Sequence, residues 1–341
     1  MSQSSPDQDT RLIQLQNWLN TEIEPGYTLA PASADASFRR YFRITFDTQS
    51  LIVMDAPPDK EDTGPFVGIA RQFLGLGLHV PEILAQNETE GFLLLSDLGT
   101  QDYLSTLNKD TAENLYADAI QAIIKLQACP IPCAYPFPAY DRDLLLTEMG
   151  LFTEWYLGRH LKIDISQQWQ SMFDKLFQLL ADSALQQPQV CVHRDYHSRN
   201  LMVLSEKNPG VIDFQDAVIG AVTYDLVSLL RDCYIAWPQH QVENWVQYYQ
   251  RHAECAGIIE KVSEDEFMRW FDLMGVQRHL KATGIFARLN YRDGKDGYLK
   301  DIPRTMGYIK HVASQYAVLA EFAEFINELE NHGEHYLDLP G

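Results

Sequence analysis

The segment His193-Arg194-Asp195-Tyr196-His197-Ser198-Arg199-Asn200, with Asp213-Phe214 after it, constrains this chain more than any other stretch. Short apolar runs at 190–192, 201–204 and 211–214 frame it as a strand–loop–strand–turn–strand platform. On that platform a carboxylate is followed by a carboxamide five positions on, and by a second carboxylate eighteen positions on. Moving a phosphoryl group from a nucleotide needs a base for the attacking hydroxyl and hard oxygen ligands for magnesium. The pattern H-R-D-x-x-x-x-N followed by D-F-G meets both needs. Here the first half is complete and the second reads Asp213-Phe214-Gln215. Asp195 is therefore the candidate catalytic base, and Asn200 and Asp213 the candidate metal ligands. His193 is read as supporting the loop rather than reacting. For His197, contact with substrate and a solvent-facing role both stay open.

The flanking sequence assigns the platform to a two-lobed architecture. Leu12, Ile13, Leu15, Trp18 and Leu19 predict a short amphipathic helix. Segment 37–46 alternates as a strand, with Phe38, Phe42, Ile44 and Phe46 on one face and Arg39, Tyr41 and Arg43 on the other. Strands follow at 51–55 and 92–96, with a helix over 65–78 between them that Pro65 opens at its first position. From Leu98 onward the periodicity is mostly helical: near 110–126, 141–158, 166–186, 223–236, 239–254, 264–291, 302–313 and 315–331. The expectation is an α+β, bilobal, protein-kinase-like fold. Residues 1–97 would form a small nucleotide-binding sheet lobe, and 98–341 a large helical lobe carrying catalysis and substrate binding.

Composition narrows the partners. With 341 residues, 46% apolar and 22% charged, the chain reads as globular, and its net charge of −20 argues against a nucleic-acid or anionic-membrane binder. No apolar run approaches the roughly 18 residues of a membrane span, and the polar start lacks the features of a signal peptide. Five scattered cysteines without a C-x-x-C pair suit a reduced, cytoplasmic protein. Nothing in the sequence points to an obligate protein partner.

The nucleotide cradle is irregular. No G-x-G-x-x-G precedes the first strands; a run of small residues over 32–37, including Ser37, takes that place. It is either a backbone cradle for phosphate or an ordinary hairpin turn. A strand lysine is expected at the third position of Ile52-Val53-Met54, where the chain has methionine, and 65–78 holds no acid to pair with one. Arg39 or Arg40 is the predicted substitute, unless both lie on a solvated strand face. Ser96, Asp97 and Leu98, at the end of a strand, are the candidate hinge for adenine.

With HRDYHSRN, IDFQDA and Val222-Thr223-Tyr224-Asp225-Leu226 in view, the chain resembles the aminoglycoside/choline phosphotransferase superfamily. It is most similar to the anomeric kinases for N-acetylmuramate and N-acetylglucosamine of bacterial cell-wall (peptidoglycan) recycling. The likeness is carried by Asp35-Ala36-Ser37-Phe38-Arg39-Arg40-Tyr41-Phe42-Arg43, Ile52-Val53-Met54-Asp55-Ala56-Pro57-Pro58, Phe152-Thr153-Glu154-Trp155-Tyr156 and Asp272-Leu273-Met274-Gly275-Val276-Gln277-Arg278-His279-Leu280-Lys281. It runs over most of residues 12–315. The missing strand lysine departs from the wider superfamily but agrees with this subgroup. The resemblance implies ATP- and Mg²⁺-dependent phosphorylation of the C1 hydroxyl, with Asp195 as base and Asn200 and Asp213 on metal. Less firmly, it puts Glu148 and Trp155, seven positions apart on one predicted helix, at the sugar; a core role for Trp155 is equally open, as is substrate contact by Gln215.

One feature stands apart from the resemblance. Residues 276–310 carry a local charge of +5 in this acidic chain. At about 100° per residue, Arg278, Lys281 and Arg288 fall on one helical face. That stripe suits an anionic acceptor such as the lactyl carboxylate of N-acetylmuramate, or is a solvated face. The competing readings are an aminoglycoside- or choline-type kinase and a nucleotide-binding pseudokinase scaffold.

Overall fold

The computed structural model describes residues 9–34 and 38–331. Helix α1 (Thr10–Glu22) starts at Asp9, whose side chain accepts a hydrogen bond from Leu12 N. Strands β1 (Thr28–Ala34), β2 (Arg40–Thr45) and β3 (Ser50–Asp55), helix α2 (Gly64–Gly75), and strands β4 (Ile83–Asn87) and β5 (Phe92–Ser96) follow. The five strands form one antiparallel sheet in the order β1-β2-β3-β5-β4.

The period of two in these strands divides the sheet into two faces. Phe42, Ile44, Val53, Phe92 and Leu94 point outward and bury against Leu15 and Leu19 of α1. Met54, Leu93 and Leu95 point inward and join Phe66, Ile69, Ala70 and Phe73 of α2 in the main core. Met54, at the expected lysine position, is thus a fully buried core residue. Phe38 lies outside β2 and is 64% exposed, so the strand begins three residues later than its alternation suggested.

The remainder is largely helical: α3 (Tyr103–Thr106), α4 (Ala112–Gln127), α5 (Arg142–Leu151) running into a π-helical stretch (Phe152–Leu161), and α6 (Gln167–Gln186). Short strands β6 (Gln189–Val192), β7 (Leu201–Met202), β8 (Gly210–Val211) and β9 (Val218–Ala221) form two two-stranded ladders, β6 with β9 and β7 with β8. Helices α7 (Tyr224–Leu230), α8 (Gln239–Cys255), α9 (Glu264–Asp293), α10 (Ile302–Ala313) and α11 (Ala320–Asn331) complete the fold. No helix among the described residues is long and apolar enough to cross a membrane.

Helix α9 is the axis of this half, packing on α5, the π-helical stretch, α6, α7 and α10. Its closest approach is at Gly284, where an added Cβ would lie 2.4 Å from the carbonyl carbon of Leu151. Only glycine lets α9 meet the backbone where α5 widens into the π-helix. That widening also corrects one expectation. Hydrogen bonds of the i→i+5 type open the turn, so seven positions no longer return Trp155 to the face of Glu148.

Candidate active site

The loop between β6 and β7 is held from behind by two buried aspartates. Asp225, at the start of α7, accepts hydrogen bonds from the backbone N–H of His193 (2.7 Å) and Arg194 (3.0 Å). Asp232 accepts from Ser198 N at 2.9 Å. The fully buried His193 ring bridges the platform: Nε2 meets Ile212 O at 3.0 Å, and Asp195 N points at Nδ1 at 3.3 Å. That arrangement fixes a neutral tautomer with its proton on Nε2, and burial lowers the His193 pKa to about 4. His193 is therefore a strut. Arg194 and Asp213 both adopt positive φ, 76° and 63°, the left-handed region that non-glycine residues occupy sparsely and that clusters at functional sites.

Asp195, Asn200 and Asp213 are brought together. Asn200 Nδ2 donates to Asp195 O at 3.0 Å and to Asp213 Oδ2 at 3.1 Å. Its amide nitrogen being committed, its carbonyl oxygen is the atom offered to a cation. Gln215 Nε2 donates to Asp213 Oδ1 at 2.7 Å, so Gln215 orients Asp213 and lines neither cavity described below. Among the described residues no three His, Cys, Asp or Glu side chains gather as a closed metal cage. A neutral oxygen beside one carboxylate is the donor set of a hard cation that takes its remaining ligands from phosphate and water.

Two cavities meet at this point. The first, about 600 Å³, lies between the inner sheet face and the loop. Ile52, Leu95, Met202 and Ile212 give it an apolar slot, and Ser96, Asp97 and Leu98 its rim. Arg43, on the inner face of β2, also lines it and is clamped to Asp97, with Nε to Oδ2 at 2.6 Å and Nη2 to Oδ1 at 3.1 Å. Arg39 and Arg40 do not line it. Arg39 pairs with Glu61 at 3.1 Å. Arg40 has the outward parity of Phe42 and binds the fully buried Asp55, 2.9 Å from its Nε, as well as Asp9. Neither arginine is placed to substitute for the strand lysine. Ser37 lies outside the described residues.

The second cavity, about 360 Å³, lies within the helical half. Asp195, His197, Tyr224, Tyr234, Arg278, Lys281, Phe286 and Tyr298 line it. Arg199, Asn200 and Asp213 line both cavities and form the seam between them. Arg278 and Lys281 are 6% and 8% exposed, which excludes the solvated-face reading for these two. Burial opposes their charge, but Tyr224 and Asp195 near both, and Glu148 near Lys281, keep the two protonated. Burial alone would raise the Asp195 pKa; Lys281 and Arg278 reverse this and hold it below the usual carboxylate value.

Glu148 sits behind this wall rather than on it. Its Oε1 takes Arg194 Nη2 at 2.5 Å and Lys281 Nζ at 3.1 Å, while Oε2 accepts from the Tyr140 hydroxyl. Gln277 Nε2 donates to that same hydroxyl at 3.2 Å. Glu148 thus joins the loop to α9 and positions Lys281. Trp155 is half-buried against the core and lines neither cavity.

A family model described as "Phosphotransferase enzyme family" matches residues 28–262. The chain belongs to that family. This phosphotransferase is 48% identical to a Pseudomonas putida protein named N-acetylmuramate/N-acetylglucosamine kinase, over 95% of this chain and 98% of the relative. A Neisseria meningitidis protein of the same name is 44% identical, over 94% and 96% of the two chains. Among solved structures, ADP-bound aminoglycoside phosphotransferase APH(2'')-Ib matches with a TM-score of 0.59 at 15% identity, covering 86% of this chain and 97% of that one. Choline kinase LicA from Streptococcus pneumoniae matches with a TM-score of 0.61 at 11% identity, covering 90% and 100%. At such identities the likeness is one of fold, and it makes the phosphotransferase protein-kinase-like, as its sequence predicts.

Several site residues of the phosphotransferase were not singled out in the sequence. Arg43 was legible in principle, since alternation puts it on the face opposite Phe42. Asp225 stands in a quoted motif, but its two backbone hydrogen bonds leave no sequence signal. Tyr234 and Tyr298 reach the second cavity only through the packing of α9 and the segment after it.

Proposed function

We propose that this enzyme is an ATP-dependent kinase of the anomeric hydroxyl of N-acetylmuramate and N-acetylglucosamine. It would work in the cytoplasm, making sugar 1-phosphates for peptidoglycan recycling. The observation that carries the reading is the junction of two cavities at Arg199, Asn200 and Asp213, with Asp195 on the wall of the second. The naming of relatives at 44–48% identity supports the sugar assignment.

In this reading adenine enters the slot between Ile52, Leu95, Met202 and Ile212, against the backbone of Ser96, Asp97 and Leu98. Its phosphates run toward the seam. Asn200 and Asp213 would hold Mg²⁺, which when bound would supply neutralisation of the phosphate charge. Asp195, ionised because Lys281 and Arg278 lower its pKa, orients the sugar hydroxyl and takes its proton. Arg278 faces the lactyl carboxylate that distinguishes N-acetylmuramate. An aminoglycoside or choline acceptor fits poorly, because the cavity presents Arg199, Arg278 and Lys281 to a cation. A scaffold without catalysis has no use for Asp195, Asn200 and Asp213 in register. The test is an ADP-coupled assay over a panel of both amino sugars, kanamycin and choline. Turnover of the two sugars with an acid-labile phosphate product is expected. Turnover of kanamycin or choline alone, or of nothing, contradicts the reading.

A further inference from the structure

Among the described residues, the one sheet-lobe cation lining the first cavity is already paired. Among the described residues that line it, the charged ones are Arg43, Asp97, Asp102, Arg199 and Asp213. Arg43 is clamped by both oxygens of Asp97, and Met54 replaces the strand lysine. A nucleoside triphosphate carries about four negative charges at neutral pH, and magnesium cancels two of them. Arg199 is the remaining cation, and it lines both cavities beside Asn200 and Asp213.

The setting of Arg199 is built for an arginine that keeps its donors free. Its guanidinium carbon stands 3.6 Å from the Tyr234 ring centroid and 5.9 Å from that of Tyr298. Stacking on an aromatic face fixes the plane of the guanidinium while leaving its edge N–H groups unspent. Among the described residues no carboxylate lies within ion-pair distance of it. Asp301, an acid that senses its charge, has Arg304 at 3.6 Å.

We propose that Arg199 is a catalytic residue that donates to the transferring γ-phosphoryl group from the helical lobe and takes over the charge of the absent strand lysine. This rests on the kinase reading above. As the C1 oxygen attacks the γ-phosphorus, its proton passes to Asp195. The bond from that phosphorus to the β–γ bridging oxygen breaks, and ADP leaves with the bonding electron pair. Arg199 follows the equatorial oxygens through this change, the role in which an arginine supplied in cis or trans speeds other phosphoryl transfers.

The experiment compares wild type, Arg199→Met and Arg199→Lys. For Arg199→Met, kcat should fall about a hundredfold or more with N-acetylglucosamine and N-acetylmuramate alike, and Arg199→Lys should recover part of it. By calorimetry without acceptor, Arg199→Met should lose affinity for Mg·ATP while keeping its affinity for ADP. A loss confined to N-acetylmuramate would overturn the proposal, assigning Arg199 to the acceptor's carboxylate. Equal loss of ATP and ADP affinity, or unchanged kcat with both sugars, would overturn it as well. If wild type phosphorylates neither sugar, the kinase reading fails by itself, and the ATP-versus-ADP comparison still decides where Arg199 acts.

Discussion

The two cavities handle charge in opposite ways. On and beside the sheet three arginines are matched within the protein: Arg43 by Asp97, Arg39 by Glu61, and Arg40 by Asp55 and Asp9. In the helical lobe, among the described residues, Arg199 and Arg278 face the cavity without a carboxylate in ion-pair contact, and Lys281 shares Glu148 with Arg194. The unmatched positive charge is thus concentrated on the second cavity and at its seam with the first. In a chain of net charge −20, this concentration matters more than the total.

The contrast can be broken first at Asp195. Asp195→Asn removes the proposed base and a negative charge that faces Lys281 and Arg278. It should lower kcat about a thousandfold with either sugar while leaving ATP affinity unchanged in a binding titration. Next comes Glu148, whose replacement by Gln strands the buried Lys281 and the partly buried Arg194. Stability should fall by about 3 kcal/mol, read as a lower denaturation midpoint, and the KM for sugar should rise as Lys281 loses its anchor. The KM for ATP should stay constant, because Glu148 lies behind the acceptor cavity alone.

Arg278→Ala sharpens the comparison within the second cavity. Among the described residues its guanidinium donates to the weak acceptor Cys233 Sγ, at 3.7 Å, and to no other side chain, so hydrogen-bonding capacity is left for an anion. The kcat/KM for N-acetylmuramate should drop about tenfold or more, with N-acetylglucosamine little affected. Equal losses for both sugars would remove the carboxylate from the account.

The smallest expected effect concerns the platform itself. The His193 pKa is lowered to about 4 in the fold, below its unfolded value of about 6.5. The unfolded chain therefore binds the proton first on acidification, and stability from this residue is lost as pH falls from about 6.5 toward 4. Asp225 works in the opposite sense: burial raises its pKa to about 7, so its contribution is lost as pH rises toward that value. The informative quantity is the difference from His193→Gln. Between pH 7.5 and 5.5 wild type should lose about 1 kcal/mol more than the variant, measured by urea denaturation.

The sequence made local chemistry legible and assembled chemistry illegible. Asp195, Asn200 and Asp213 sit within nineteen residues on strands and turns that their own neighbours specify, so spacing sufficed. Strand β1 escaped notice because Pro31 interrupts it, and proline is tolerated where it proves to lie, on a sheet edge beside a bulge. Strand β4 is the other edge and is also irregular. Arg39 and Arg40 were reasonable candidates by position, but adjacent acids that no linear pattern reveals claim both. Glu148 and Trp155 were paired by a helical period that the π-helical stretch abolishes. Arg199 lies inside the most prominent motif but carries no signal of its own, because its setting depends on Tyr234, which packing brings beneath it.

Placement of phosphate on the anomeric oxygen of an amino sugar is tested most directly by phosphorus NMR of the product formed from ATP and N-acetylglucosamine. One phosphomonoester resonance coupled to the anomeric proton and lost on mild acid treatment is expected. A resonance coupled instead to the C6 protons, or ADP formed with inorganic phosphate alone, would contradict it.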